Sequence, residues 1–135
     1  AAIIGAGVWA EESDGQGIAC CTSGSGEHLI RANLAREVCK SLIHDESALL
    51  ADVLSEKFFS SVTPGSGDRF MGGLLLQTSN WKSTGKGFLH VFHNTPTLCW
   101  AMASTNREKA KAEMSYNIHS NLSSKPSVIT LGYSA

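Results

Sequence analysis

The order of apolar and polar positions predicts two groups of strands with a helical region between them. Short runs of small and apolar residues, bounded by polar turn clusters, are typical of strands. The predicted strands are residues 7–11, 17–22, 70–77, 87–94, 98–103 and 127–131. Short polar connections join several of them, so antiparallel pairing is the simplest arrangement.

Apolar positions at helical spacing predict two consecutive amphipathic helices after the first strands. From Glu27 to about His44 the apolar residues recur every four positions and form one stripe. The stripe consists of Ile30, Leu34, Val38 and Leu42. The second helix is predicted to begin with Asp45 as its cap, to run to Phe58, and to end at a loop rich in Ser, Pro and Gly over 60–67.

Two helices between two groups of strands indicate an α+β fold in which one helical layer covers a sheet. The charged run from Asn106 to Tyr116 is compatible with a further short helix. With 135 residues, 42% hydrophobic content and a net charge of −1, the chain suits one globular domain over residues 1–135. It carries no basic footprint for nucleic acid, and its apolar runs are far shorter than a membrane span of about 20 residues.

The cysteines and histidines do not form a recognisable metal site. The four cysteines show no Cys-x-x-Cys spacing and are Cys20, Cys21, Cys39 and Cys99. His90 and His93 lie three apart on a predicted strand, where alternation sends them to opposite faces. The sequence therefore predicts no metal and no cofactor, and it favours reduced, mostly buried thiols in an intracellular protein.

The segment from Thr22 to Arg31 runs from a strand through a Gly-rich turn into a helix and is the best candidate for chemistry. Glycines at 24 and 26 allow close approach to the backbone, and the first helical amides are unpaired donors. The Ser23 hydroxyl adds another donor, so the turn is suited to an oxyanion hole. Turn chemistry alone favours the alternative, a simple strand-to-helix connection.

Two other motifs resemble known sites less well. Ser25 lies between two glycines, but the serine-hydrolase signature Gly-x-Ser-x-Gly needs a glycine at 23, where this chain has a serine. The segment from Ser83 to Gly87 lacks the second half of a phosphate-binding loop and lies between two predicted strands, which favours a hairpin turn.

Four segments of the chain carry a family likeness. Most of it lies in residues 5–11 (Gly-Ala-Gly-Val-Trp-Ala-Glu) and 22–31 (Thr-Ser-Gly-Ser-Gly-Glu-His-Leu-Ile-Arg), and residues 34–37 (Leu-Ala-Arg-Glu) and 71–76 (Met-Gly-Gly-Leu-Leu-Leu) also fit. Together they resemble the threonine aspartase (taspase) group of the N-terminal-nucleophile hydrolases, the family that also contains plant-type asparaginases and glycosylasparaginases. At the level of sequence, the resemblance covers about half of the chain.

The resemblance implies a fold and a set of roles. It implies an αββα sandwich of two antiparallel sheets between helix layers, incomplete in this chain, with apolar sheet edges left exposed. It places Ser23 and the Gly24 amide in the oxyanion hole and lets the Gly26 backbone contact an acidic residue of the substrate. The family nucleophile is an N-terminal threonine, which this chain lacks. The opening residues 1–4 look like the stretch after that threonine, so the chain is expected to be the C-terminal portion of a β-subunit.

The resemblance therefore predicts a fragment of a threonine-type endopeptidase that cleaves protein substrates after aspartate, in the cytoplasm or nucleus. The expected partners are the missing α-subunit and nucleophile segment, which would pair with this chain as an αβ heterodimer. Two alternatives stay open: an asparaginase or isoaspartyl peptidase of the same family, and a non-catalytic remnant that acts as a binding scaffold.

Overall fold

The computed structural model describes residues 3–45, 47–60, 69–79, 85–105, 109–117 and 126–134. The strands are β1 (Val8–Ser13), β2 (Gln16–Gly24), β3 (Met71–Ser79), β4 (Lys86–His93), β5 (Thr97–Met102), β6 (Lys111–Tyr116) and β7 (Ser127–Ser134). The helices are α1 (Gly26–Ala32), α2 (Leu34–Ile43) and α3 (Leu50–Leu54), and a π-helical turn over Ser55–Phe59 continues α3. No helix in these ranges is long and apolar enough to cross a membrane.

The strands form two antiparallel sheets, so the α+β class is confirmed. The larger sheet has five strands in the order β1-β2-β3-β4-β7, and the smaller sheet is the β5–β6 hairpin. Each of the six predicted strands corresponds to a strand of the structure. The turn between β1 and β2 uses left-handed backbone at Asp14 and Gly15, with φ of 51° and 79°, which matches the twist of a tight hairpin.

The helical region predicted from Glu27 to His44 is confirmed, but it consists of two helices rather than one, because the helix is interrupted at Asn33. Asn33 adopts left-handed backbone with φ of 48°, which ends α1 and starts α2. The amide of Arg36 in the first turn of α2 donates to the Gly5 carbonyl at 2.8 Å. This bond comes from a distant segment, and asparagine tolerates left-handed backbone. The spacing of apolar residues therefore gives no sign that the helix is interrupted.

The second predicted helix exists but is shorter, and Asp45 does not cap it. The Asp45 carboxylate accepts hydrogen bonds from the Ser47 amide (2.9 Å) and hydroxyl (2.6 Å), forming a turn before the helix. These bonds lower the pKa of the Asp45 carboxyl. Leu49 is the N-cap of α3 and makes no side-chain cap bond.

The helix expected within 106–116 is also wrong where the chain is described. Lys111–Tyr116 is strand β6, and its register with β5 pairs Trp100 with Glu113. Backbone pairing with β5 outweighs the helical preference of a short charged run, which is weak by itself. The loop predicted over 60–67 lies almost wholly outside the described residues. Of the hairpin turn predicted at 83–87, the first two residues lie outside the described ranges, and Lys86 and Gly87 belong to β4.

The main core lies between one face of the five-stranded sheet and the helices. Its buried side chains come from β2, β3 and β4 and from the inner faces of α1, α2 and the α3 region. They include Ile18, Cys20, Leu29, Leu34, Val38, Cys39, Leu54, Phe58, Met71, Leu75 and Phe92. Burial of each large apolar side chain contributes about 1.5–3 kcal/mol, so this one-sided layer accounts for most of the hydrophobic stabilisation.

The opposite face of the same sheet carries two apolar rows that cross all five strands. Directly paired residues of neighbouring strands share a face, so the register defines three complete rows here; the third row, Glu12, Gly17, Thr78, Gly87 and Tyr133, is mixed, and the other two are apolar. One apolar row is Val8, Cys21, Leu74, Val91 and Ile129, and the other is Ala10, Ala19, Leu76, Leu89 and Leu131. Val8 is 68% exposed and Leu76 is 39% exposed, whereas Val91 is buried. The exposed apolar surface is therefore a sheet face rather than only the expected edges.

The β5–β6 hairpin contacts one end of this opposite face. His93 of β4 is fully buried, and its Nε2 lies 2.8 Å from the Ser115 hydroxyl of β6. Its Nδ1 lies 2.8 Å from the Thr95 carbonyl oxygen. These bonds satisfy the buried imidazole and tie the small sheet to the large one.

We expect the four thiols to separate into two reactivity classes. All four are free; Cys20 and Cys39 are buried together in the core, so the expectation of mostly buried thiols holds for half of them. A hydrogen bond with Cys39 and burial raise the pKa of Cys20, which suppresses its reactive thiolate. Native Cys21 and Cys99 should react with Ellman's reagent, and Cys20 and Cys39 only after unfolding. Equal reaction of all four thiols in the native protein would contradict this core.

Candidate oxyanion site at the strand-to-helix turn

The predicted strand, turn and helix meet within three residues. β2 ends at Gly24, Ser25 is the N-cap of α1, and Gly26 is its first residue. The Ser25 carbonyl accepts hydrogen bonds from the amides of His28 (3.0 Å) and Leu29 (3.1 Å), so the helix begins directly behind the strand. Ser23, Gly24 and Gly26 are all exposed at this junction.

Gly24 is the one position of the turn where the backbone requires glycine. Its φ is +142°, a conformation that side chains rarely allow. A Cβ atom at this position would lie 2.1 Å from the Phe70 carbonyl oxygen and 2.8 Å from the Met71 Cα. At Gly26, by contrast, a Cβ would meet nothing within 4 Å. The two glycines of the motif therefore differ, because packing explains only the first.

Ser25 has a structural role that the sequence does not reveal. Its amide donates to the Phe70 carbonyl at 2.7 Å, and its hydroxyl accepts from the Phe70 amide at 3.1 Å. Both polar backbone groups of Phe70 are thus held by one residue. The Ser25 hydroxyl closes the end of the β2–β3 pair and is not presented as a nucleophile.

The Gly24 amide is directed away from β3. Met71, which is opposite Gly24 in the register, has both backbone groups taken by Asn94: the Met71 amide donates to Oδ1 (2.7 Å) and the carbonyl accepts from the Asn94 amide (3.0 Å). Amides of alternate residues along a strand point to the same side, and the Thr22 amide donates to Gly7 on the β1 side at 2.8 Å. The Gly24 amide therefore points past the first residue of β1.

Ser23 places its side chain on the apolar face of the sheet. It pairs with Gly72, which pairs in turn with His93, so the three residues form one cross-strand row. A Cβ at Gly72 would lie 3.3 Å from Leu98 Cδ1 and 3.4 Å from His93 Cβ, so Leu98 of β5 covers this glycine. Ser23 itself is exposed and directly precedes Gly24, which is also exposed.

Three buried residues around the turn were not singled out from the sequence. Thr22 is buried, and its hydroxyl donates to the Ala6 carbonyl at 2.7 Å, tying the site strand to the segment before β1. His28 is buried, and its ring meets Phe58 edge-on at 6.5 Å. Arg69 is buried beside the turn and donates to the Phe58 carbonyl at 3.4 Å. Only long-range packing identifies these three.

The two strand histidines lie on opposite faces, as predicted. His90 is on the helix side, 2.8 Å from Gln77 Oε1 and 2.9 Å from Thr130 Oγ1, and burial lowers its pKa. His93 is on the other face with Ser115. Within the described ranges, no group of three or more His, Cys, Asp or Glu side chains could hold a metal ion.

A comparison with models of known protein families finds none that matches this chain. The fold class follows from the structure alone, while membership of a family depends on the motif resemblance. Ser23 and Gly24 are both exposed residues, and each carries a hydrogen-bond donor, the hydroxyl and the amide respectively.

We expect the two turn glycines to respond differently to alanine. Gly24→Ala should lower the free energy of unfolding by at least about 2 kcal/mol, because the strained backbone and the Phe70 oxygen both oppose a Cβ. Gly26→Ala should be neutral or stabilising by up to about 1 kcal/mol, since its Cβ enters open space in a helix. Chemical denaturation measures both. Equal stability of the two variants would show that Phe70 does not press on Gly24.

Proposed function

We propose that this chain is the C-terminal portion of the β-subunit of a threonine-type endopeptidase, of the N-terminal-nucleophile class, that cleaves after aspartate. The observation that carries the proposal is the pair of exposed donors at the end of β2, the Ser23 hydroxyl and the Gly24 amide. The motif resemblance supplies the reaction, and the backbone geometry of Gly24 supports the role given to its amide.

The two donors would act on charge that exists only in the transition state. In the proposed reaction, an N-terminal threonine hydroxyl on a segment outside these residues attacks the carbonyl carbon, and its own α-amine accepts the proton. The carbonyl oxygen becomes an oxyanion that the Ser23 hydroxyl and Gly24 amide stabilise. Collapse releases the C-terminal product as an amine, and water then hydrolyses the ester formed with threonine.

The backbone at Gly26 is proposed to contact the acidic side chain of the substrate. The residue is exposed, and a Cβ there would meet nothing within 4 Å, so its surface is open to a ligand. The first amides of a helix are donors suited to an anion. Selectivity for aspartate rests on the family resemblance.

The two apolar rows support the proposed αββα sandwich and its partners. An antiparallel sheet with one solvated face normally has polar residues on that face, but here two of the three complete rows are apolar across all five strands. A second sheet from the α-subunit and nucleophile segment would bury Val8 and Leu76, which are 68% and 39% exposed here. Ser23 lies on this same face, at the boundary of the proposed second sheet.

A binding scaffold without catalysis is the second candidate, and the same apolar face favours it. Such a protein needs the exposed face but not the donors at the turn. An asparaginase or isoaspartyl peptidase would use the same donors on a smaller substrate. The coding sequence upstream of Ala1 separates these candidates: a threonine preceded by Asp or Gly, about 40 residues earlier, supports an enzyme.

We expect the purified 135-residue chain to hydrolyse neither Asp-containing peptides nor asparagine. It lacks the N-terminal threonine that the proposed reaction needs, and Ala1 has no nucleophilic side chain. Mass spectrometry of peptide digests and an ammonia-release assay measure the two activities. Turnover that follows this chain through independent purification steps would exclude a nucleophile located outside it.

In the complete protein, Ser23→Ala should lower kcat by roughly 10²–10³ and leave KM nearly unchanged, because a donor to the transition state is lost. Ser13→Ala is the matched control, since Ser13 is a β1 serine whose hydroxyl donates to the neighbouring Asp14 carboxylate at 3.3 Å. Ser25→Ala is unsuitable as a control, because its hydroxyl holds Phe70. Steady-state kinetics on an Asp-containing peptide measures kcat and KM of the variants. A wild-type kcat in Ser23→Ala would refute the oxyanion role and leave the turn as a strand-to-helix connection.

A further inference from the structure

Asn94 holds the start of β3 from the β4 side. The residue follows the last residue of β4 and is 1% exposed. Its side-chain Oδ1 accepts from the Met71 amide at 2.7 Å, and its Nδ2 donates to the Arg69 carbonyl at 2.6 Å. Its own amide donates to the Met71 carbonyl at 3.0 Å. One carboxamide therefore bonds to both peptide groups that flank Phe70.

Ser25 bonds to the same two peptide groups from the other side. In the peptide between residues 69 and 70, the carbonyl accepts from Asn94 Nδ2 and the amide donates to Ser25 Oγ. In the peptide between residues 70 and 71, the amide donates to Asn94 Oδ1 and the carbonyl accepts from the Ser25 amide. Bonds at both ends of a peptide group polarise it and strengthen each other.

The carbonyl fixed in this way is the one that lies against Gly24. The Phe70 oxygen lies 2.1 Å from the ideal position of a Cβ atom at Gly24. It therefore packs directly against the unusual backbone of Gly24. The Gly24 amide nitrogen is bonded to the Cα atom that would carry this Cβ. A rotation of the peptide between residues 70 and 71, which moves the oxygen packed against Gly24, would therefore shift the proposed donor.

We propose that Asn94 is a positioning residue for the oxyanion donors Ser23 and Gly24. Its carboxamide fixes the plane of the two Phe70 peptides, and these peptides fix the turn through Ser25 and Gly24. This inference rests on the proposed function for its catalytic meaning, while its structural step can be measured without any activity.

The first experiment uses the 135-residue chain and backbone amide hydrogen exchange by NMR. Asn94→Asp keeps an acceptor for Met71 but loses the donor to Arg69, and Asn94→Ala loses both. We expect exchange at the Ser25 amide to accelerate at least tenfold relative to the Leu75 amide, and the Gly24 amide resonance to shift. Asn117→Asp is the matched control, because Asn117 is also a buried asparagine, 7% exposed, whose Nδ2 donates to His93 at 3.4 Å.

Unchanged Ser25 exchange in Asn94→Asp, or an equal change in Asn117→Asp, would overturn the positioning role. If both Asn94 variants unfold, Ser25→Ala tests the same linkage from the surface side. The proposal expects this variant to accelerate exchange at the Met71 amide, which bonds to Asn94 rather than to Ser25. Normal protection of Met71 in Ser25→Ala would also overturn it.

The second experiment uses the complete protein and steady-state kinetics. Asn94→Asp should lower kcat at least about tenfold with KM within about twofold, because a small misplacement of a catalytic donor is costly. Wild-type kcat in a variant with altered Gly24 and Ser25 amides would overturn the positioning role. An inactive wild-type protein would refute the proposed function instead, and the exchange measurement would still decide what Asn94 does to the turn.

Discussion

The close approach of the Phe70 carbonyl oxygen to Gly24 is the contact on which the candidate site depends. It leaves no room for a side chain at Gly24 and forces a backbone conformation that only glycine adopts readily. The same carbonyl oxygen accepts a hydrogen bond from the amide of Ser25, the N-cap of α1. One oxygen atom therefore contacts both the end of β2 and the start of α1. The end of β2, the turn and the start of α1 therefore form one unit. This unit is held by Phe70, which lies 45 residues after Ser25 in the sequence.

The sheet that carries this unit has two apolar faces and only one helical layer. Packing of α2 against β1 and β2 buries the first face, and the β5–β6 hairpin contacts part of the second through the bond between His93 and Ser115. The exposed remainder includes Val8 and Leu76. Exposed apolar side chains on a sheet face favour association, so this face is a candidate contact surface whatever chemistry the turn performs.

Local patterns predicted the strands and the turn well, because alternation and turn residues act over a few positions. The break at Asn33 escaped prediction because the apolar stripe continues across it, while the carbonyl that caps α2 belongs to Gly5. Strand β6 escaped because its pairing with β5 outweighs a weak helical preference. Asn94 escaped for a similar reason: a side chain that bonds to a distant backbone leaves no periodic signal in the sequence.

The motif residues divide into those that folding explains and those that it does not. Packing against Phe70 accounts for the glycine at 24, and the bond to the Phe70 amide accounts for the serine at 25. Neither identity, taken alone, argues for catalysis. Ser23 is exposed and Gly26 faces open space, so the fold would tolerate other residues at both positions. Ser23 and Gly26 are therefore the two motif residues whose types have no structural explanation in the turn itself, whereas the Gly24 amide is a donor that any residue at this position would carry.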